Sequence, residues 1–103
     1  MAAEPRRVAW SPEAEDDLFS IWNYIAQAAG PRTADDIVRR IGEVCRLLED
    51  FPLAGRSRSD IRPGLRSVVS GPFVIFYRAE RNMAEIVRVL DGRRDVDDVF
   101  SDG

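Results

Sequence analysis

Residues 65–91 decide the fold: LRSVVS (65–70), GP (71–72), FVIFYRA (73–79), ERN (80–82) and MAEIVRVLD (83–91). Three runs rich in Val, Ile, Phe and Tyr, each closed by turn-forming or charged residues, predict an antiparallel meander. Strict alternation sets Leu65, Ser67 and Val69 opposite Arg66, Val68 and Ser70. It sets Phe73, Ile75 and Tyr77 opposite Val74, Phe76 and Arg78. In the last run it sets Ala84, Ile86, Arg88 and Leu90 opposite Glu85, Val87 and Val89. Both faces carry apolar residues in the middle run. One face meets the rest of the chain, and the apolar excess on the other points to a partner.

Upstream of the meander the period changes from two to helical. Arg6 to Trp10 reads as a short first strand. Ser11-Pro12-Glu13 then offers a capping serine, a proline at the first helical position and an acid near the positive end of the helix dipole. Ala14, Leu18, Ile21, Trp22, Ile25 and Ala29 follow at helical spacing, which predicts a helix from Pro12 to about Ala28, closed by Gly30-Pro31. A second helix starts near Pro31 or Thr33, with Ala34, Ile37, Val38, Ile41, Val44, Cys45 and Leu48 on one stripe. Only a Gly-Pro break separates the two, so an antiparallel helical hairpin is the economical arrangement. Phe51-Pro52 ends the second helix, because the residue before a proline avoids the helical region. A loop of a dozen or so residues, PLAGRSRSDIRPG, leads into the sheet. The expected architecture is α+β, in the order β-α-α-β-β-β, with the helical hairpin on one face of an antiparallel sheet.

The 103 residues form one domain, with tails expected at 1–5 and 96–103 that are flexible or ordered by a partner. No apolar run approaches the roughly 18 residues of a membrane span, and the N-terminus shows no signal segment, so a cytoplasmic protein is expected. A single cysteine, Cys45, excludes an internal disulfide, and with no histidine the commonest metal ligand and neutral-pH base are missing. All 15 basic residues are arginine. No metal site and no cofactor is expected.

The net charge of -3 hides a segregation: residues 56–94 hold nine arginines against four acids, while the helical half and the tail are acidic. Such a patch suits an acidic protein surface or nucleic acid, or else simply rims a solvated sheet. The candidate contact residues are Arg56, Arg58, Arg62, Arg66, Arg78, Arg88, Arg93 and Arg94. Arg66 either contacts a partner or pairs with Glu85 or an acid of the helices. Arg88, mid-strand, either makes a contact or forms a salt bridge to the first helix. Arg93 and Arg94 lie just past Gly92 at the exposed end of the sheet. Trp10, Trp22 and Phe51 read as packing residues, Cys45 as a buried small hydrophobe, and Tyr77 as buried in the sheet.

In order and spacing, SPEAEDDLFSIWNYIA, LLEDFPLAGR, RPGLR, VIFYR and IVRVLDGRRD resemble the ParE/RelE superfamily of type II toxin-antitoxin toxins (plasmid stabilisation proteins). The likeness is greatest to the ParE branch and runs from about Val8 to Asp95. The resemblance implies a bacterial toxin that inhibits DNA gyrase without a catalytic site of its own. Its implied partner is a ParD-like antitoxin: a ribbon-helix-helix DNA-binding dimer whose C-terminal segment wraps the toxin. A helix of that segment would lie beside the helical hairpin, with a strand at the sheet edge, in a 2:2 or larger hetero-oligomer. No membrane and no small-molecule cofactor is implied. The RelE alternative is ribosome-dependent mRNA cleavage. Where the RelE pattern has a catalytic arginine this chain has Val74, and in place of a C-terminal aromatic hydroxyl the nearest residues are Val96 and Phe100; Arg66 and Arg93-Arg94 persist. Cleavage by a 2′-hydroxyl needs proton-transfer groups, and arginine, with a pKa above about 12, is a poor one. At Asp91 the commoner ParE ending has a histidine. A third reading is a degenerate, non-toxic antitoxin-binding partner.

Overall fold

The computed structural model describes residues 7–81 and 83–101. Along the chain run β1 (Arg7–Trp10), α1 (Pro12–Ala29), α2 (Pro31–Asp50), β2 (Arg56–Ser57), β3 (Leu65–Ser70), β4 (Phe73–Ala79), β5 (Met83–Asp91) and α3 (Val96–Phe100). The expected α+β arrangement is present, with both long helices on one face of the sheet. Ser11 caps α1, its Oγ accepting from the Ala14 amide at 3.0 Å, and Pro12 occupies the first turn. Gly30, at φ +94°, turns the chain between the helices, a conformation that costs a side-chain-bearing residue steric strain. Pro31 then opens α2 directly.

The sheet order is β1-β5-β4-β3-β2. β3, β4 and β5 form the meander, while β1 pairs with β5 in parallel, Val8 opposite Ala84 and Trp10 opposite Ile86. A parallel neighbour is possible because the helical hairpin carries the chain from β1 to the far edge of the sheet before it returns as β5. Two residues of the long loop, Arg56 and Ser57, pair with Ser67 and Arg66 as the edge strand β2. Nothing in RSRS alternates in polarity, so that strand left no hydrophobic trace in the sequence.

Between helices and sheet lies the larger core, with Ile41, Cys45, Leu48, Ile75, Tyr77 and Ile86 almost wholly buried. Trp22 packs against this core and ties the helices together, its Nε1–H donating to Asp35 Oδ1 at 2.8 Å. Phe51 departs from its expected packing role: it is 62% exposed, because the helix ends there and the chain turns outward.

The opposite sheet face is where the sequence reading needs its main correction. Leu65, Phe76, Leu90 and Phe100 form a second buried cluster there, flanked by Ile61, Val74, Val87, Val96 and Val99. The apolar excess that pointed to a partner is covered in large part by the chain's own α3. Residues 96–100 of the supposed tail are therefore ordered intramolecularly, while residues 1–5 and 102–103 lie outside the described residues. Phe100 meets Phe76 edge-to-face at 5.2 Å. Phe100→Ala is expected to cost about 2 kcal/mol, below the roughly 3–5 kcal/mol of a rigidly buried aromatic because a five-residue helix can resettle. Urea melts would measure the loss, and amide exchange should quicken in α3 before the rest of the sheet opens.

Burial pushes the Cys45 thiol up to about 12. The folded protein thus holds this proton at pH values where the unfolded chain releases it. The resulting stability is complete below the free-thiol pKa near 9 and is lost as pH rises from there toward 12, at up to about 1.4 kcal/mol per pH unit. Compared with Cys45→Ala, the native chain should show this extra downward slope in pH-dependent melts. Alkylation at pH 8 should proceed only as fast as the protein opens.

Candidate functional site: an apolar groove with an arginine rim

Strict alternation fails in β5, and the failure builds the site. Phe76 pairs with Arg88 but Tyr77 pairs with Ile86, which leaves Val87 as an extra, bulged residue. Beyond the bulge the side-chain parity reverses. Val89 therefore joins Ala84 and Ile86 under the helices, and Leu90 turns to the second cluster; the sequence reading had these two exchanged.

Val89 forms part of the floor of a groove of about 1050 Å³ between α1, the start of β4 and the end of β5. Ile21, Ile25, Ile37 and Phe73 continue the apolar lining, and Tyr24, 73% exposed, stands on the α1 side. Asp91, Gly92, Arg93 and Arg94 form the opposite lip. Pro72 supports that lip: its carbonyl accepts from the Gly92 amide at 2.8 Å. At the lip Arg93 pairs with Asp91 through Nε–Oδ1 at 3.2 Å, and its amide donates to the same oxygen at 2.9 Å. The Arg93 guanidinium holds the Asp91 carboxyl below its ordinary range, helped by that amide bond. Arg94 is exposed and pairs with no carboxylate among the described residues. The groove thus offers an apolar trough with Arg94, unpaired among the described residues, at its mouth, a shape that suits an amphipathic helix carrying acids along one border.

The other candidate arginines divide by what they hold. Arg88 donates Nε and a terminal nitrogen to the two oxygens of Asp17, each at 2.8 Å, the bridge to the first helix that the sequence left as one of two options. That hydrogen-bonded carboxylate raises the guanidinium pKa further above its ordinary value. Among the described residues Arg66 pairs with no acid: it donates to Gly55 O at 3.0 and 2.6 Å and to Leu53 O at 3.1 Å, and so braces the loop. Arg58 stacks 5.6 Å over the Phe76 ring and pairs with Asp60. Arg62 lies 5.1 Å over Phe100 and donates to its carbonyl at 2.9 Å, clasping α3. Arg78 is half-buried in β4, its Nε enclosed without a hydrogen-bond partner among the described residues. Arg56 is exposed on β2. Of the eight, Arg93 and Arg94 reach the groove, whereas Arg56, Arg58 and Arg62 lie on β2 and the segment leading to β3, and Arg78 lies toward the end of β4 away from the groove.

Sequence reasoning missed the groove's apolar walls. Ile21 and Ile25 read as ordinary positions of the first helix's stripe, and alternation set Val89 on the other face of the sheet. The one available signal was Tyr24, a large aromatic just beside the α1 stripe. Tyr77 is fully buried, and its hydroxyl is engaged twice, accepting from the Gly55 amide at 2.9 Å and donating to Pro52 O at 2.8 Å.

Comparison with known proteins agrees with this architecture. Residues 8–96 match the family model described as ParE toxin of type II toxin-antitoxin system, parDE. The chain is 36% identical over 87 residues to Toxin ParE3 of Caulobacter vibrioides, covering 84% of this chain and 87% of that one. It is 33% identical over 92 residues to Toxin ParE1 of Mycobacterium tuberculosis, covering 88% and 94%. Among solved structures, a chain of the chromosomal ParDE TA system from P. aeruginosa superposes with a TM-score of 0.75 at 24% identity, covering 86% of this chain and 98% of that one. A chain of the M. tuberculosis RelBE2 toxin-antitoxin complex superposes with a TM-score of 0.55, also at 24% identity.

Proposed function

Because the chain belongs to the ParE toxin family of type II toxin-antitoxin systems, we propose that it is a cytoplasmic inhibitor of DNA gyrase that acts without turnover. A cognate ParD-like antitoxin silences it by laying an apolar, acid-bordered C-terminal helix in the groove between α1 and the end of β5, in a 2:2 or larger complex. The observation that carries the reading is the division of labour among the polar groups. Arg66, Arg88 and the Tyr77 hydroxyl are engaged in holding loop and helix, which leaves Arg93 and Arg94 at an apolar groove. Such a surface suits docking onto protein better than moving protons on RNA.

The test is a supercoiling assay with purified gyrase, run beside primer extension on translated message. Inhibition at near-stoichiometric toxin with intact message is the expected result, and added antitoxin should relieve it. Undiminished supercoiling at a large excess of toxin would remove the gyrase target. Cuts within codons would put ribonuclease activity in its place.

A further inference from the structure

We infer that Asp17 is a positioning residue for the groove: it holds the β5 bulge, and the bulge decides which side chains line the trough and where Arg94 stands. The inference rests on the groove being the partner-binding site, but its test does not require the partner.

The bulge is gripped from α1 at both ends. On the near side, the Ser11 amide donates to Ile86 O at 2.9 Å and the Ser11 hydroxyl donates to Val87 O at 2.8 Å, while the same Oγ caps α1. On the far side, Asp17 Oδ2 accepts from Arg88 Nε at 2.8 Å and from the Val89 amide at 2.9 Å, and Oδ1 accepts the second arm of the Arg88 fork. Two turns of one helix therefore grasp the residues on either side of Val87. Asp17 also lines the groove itself.

A strand has a side-chain period of two, so one extra residue inverts every position after it. An unbulged β5 in the Ala84–Ile86 register would send Arg88 and Leu90 under the helices and Val89 to the opposite face. The groove floor would then hold a cation, and the second cluster would lose Leu90. The three acceptor bonds of Asp17 favour the bulged form over that alternative, because only there do Arg88 and the Val89 amide converge on one carboxylate. Arg94 follows three residues after Asp91, on a turn closed by its amide to Asp91 O at 3.0 Å, so its place depends on how β5 ends.

The probe is 8-anilinonaphthalene-1-sulfonate, an apolar anion matched to an apolar trough with a cationic mouth, titrated into the full chain well below its melting temperature with amide spectra recorded in parallel. Dye should shift the amides of Val89 to Arg94, and Arg94→Ala should weaken it about 5-fold. Asp17→Asn should weaken it by a similar factor and speed exchange of the Val89 amide while β3 and β4 stay protected. In the Asp17→Asn background Arg94→Ala should then have little further effect, a non-additivity that a mere loss of stability would not produce. Arg88→Lys, which keeps the charge and loses the fork, serves if Asp17→Asn fails to fold, and should show the same coupling. Unchanged dye affinity in the folded variants, or losses at the two positions that multiply independently, would overturn the inference. A negative supercoiling assay would leave it standing.

Discussion

Gly55→Ala is expected to abolish the native fold at 37 °C or to leave it stable only well below that temperature. An added Cβ would stand 2.6 Å from Ser67 O and 2.7 Å from both the Cε1 and the hydroxyl of Tyr77. None of these atoms belongs to a flexible chain end. Ser67 O is backbone within β3, and Tyr77 is fully buried with its hydroxyl fixed by Pro52 O and the Gly55 amide. Relief requires the loop to lift, which breaks both hydroxyl bonds and the Arg66 contacts to Gly55 O. At about 1 kcal/mol for each neutral bond and more for the charged ones, the loss is about 4 kcal/mol, a large share of the stability of a domain this size. Gly42→Ala is the control. Beyond its own helix backbone and chain neighbours nothing lies within 4 Å of its added Cβ, and it sits mid-helix, so a gain of about 0.5 kcal/mol is expected. Thermal melts of the two variants should move in opposite directions; a Gly55→Ala protein melting with the parent would refute the packing argument.

Arg88→Met should cost about 3 kcal/mol, because it leaves the Asp17 carboxylate, whose side chain is only 10% exposed, without its main partner. For a domain of this length that lowers the melting temperature by roughly 12–24 °C. Arg93→Met removes an ion pair of similar distance whose arginine side chain is 91% exposed, and should leave the melt almost unmoved. Melts of the two variants side by side distinguish burial from charge: equal losses would mean that the Asp17–Arg88 pair is as well hydrated as the surface one.

Local pattern carried the reading as far as the elements. Ser11 and Pro12 before an amphipathic stripe start a helix, Gly30-Pro31 breaks one, and the β-branched and aromatic run FVIFYRA favours a strand. The structure follows these boundaries within a residue or two. The stripe that placed Cys45 with Ile41 and Leu48 also survived, since helical spacing leaves a small side chain there no other face. Arg56–Ser57 and the packed α3 were not legible in the same way. Both are short segments, the first wholly polar and the second with only Val96, Val99 and Phe100 to pack, that become regular only against neighbours distant in the chain.

What the sequence alone determined, then, was the list of elements, the helical hairpin and the family, because propensity, capping and side-chain period act between residues a few positions apart. Tertiary structure alone decided the parallel place of β1, the cover over the second sheet face, the work each arginine does, and the groove. The groove floor turns on one fact invisible to alternation, the extra residue at Val87. It persists because Ser11 and Asp17, more than seventy positions away in the chain, supply the hydrogen bonds that hold it. Strand periodicity is a local property; a bulge is stable only where distant groups satisfy the backbone it displaces.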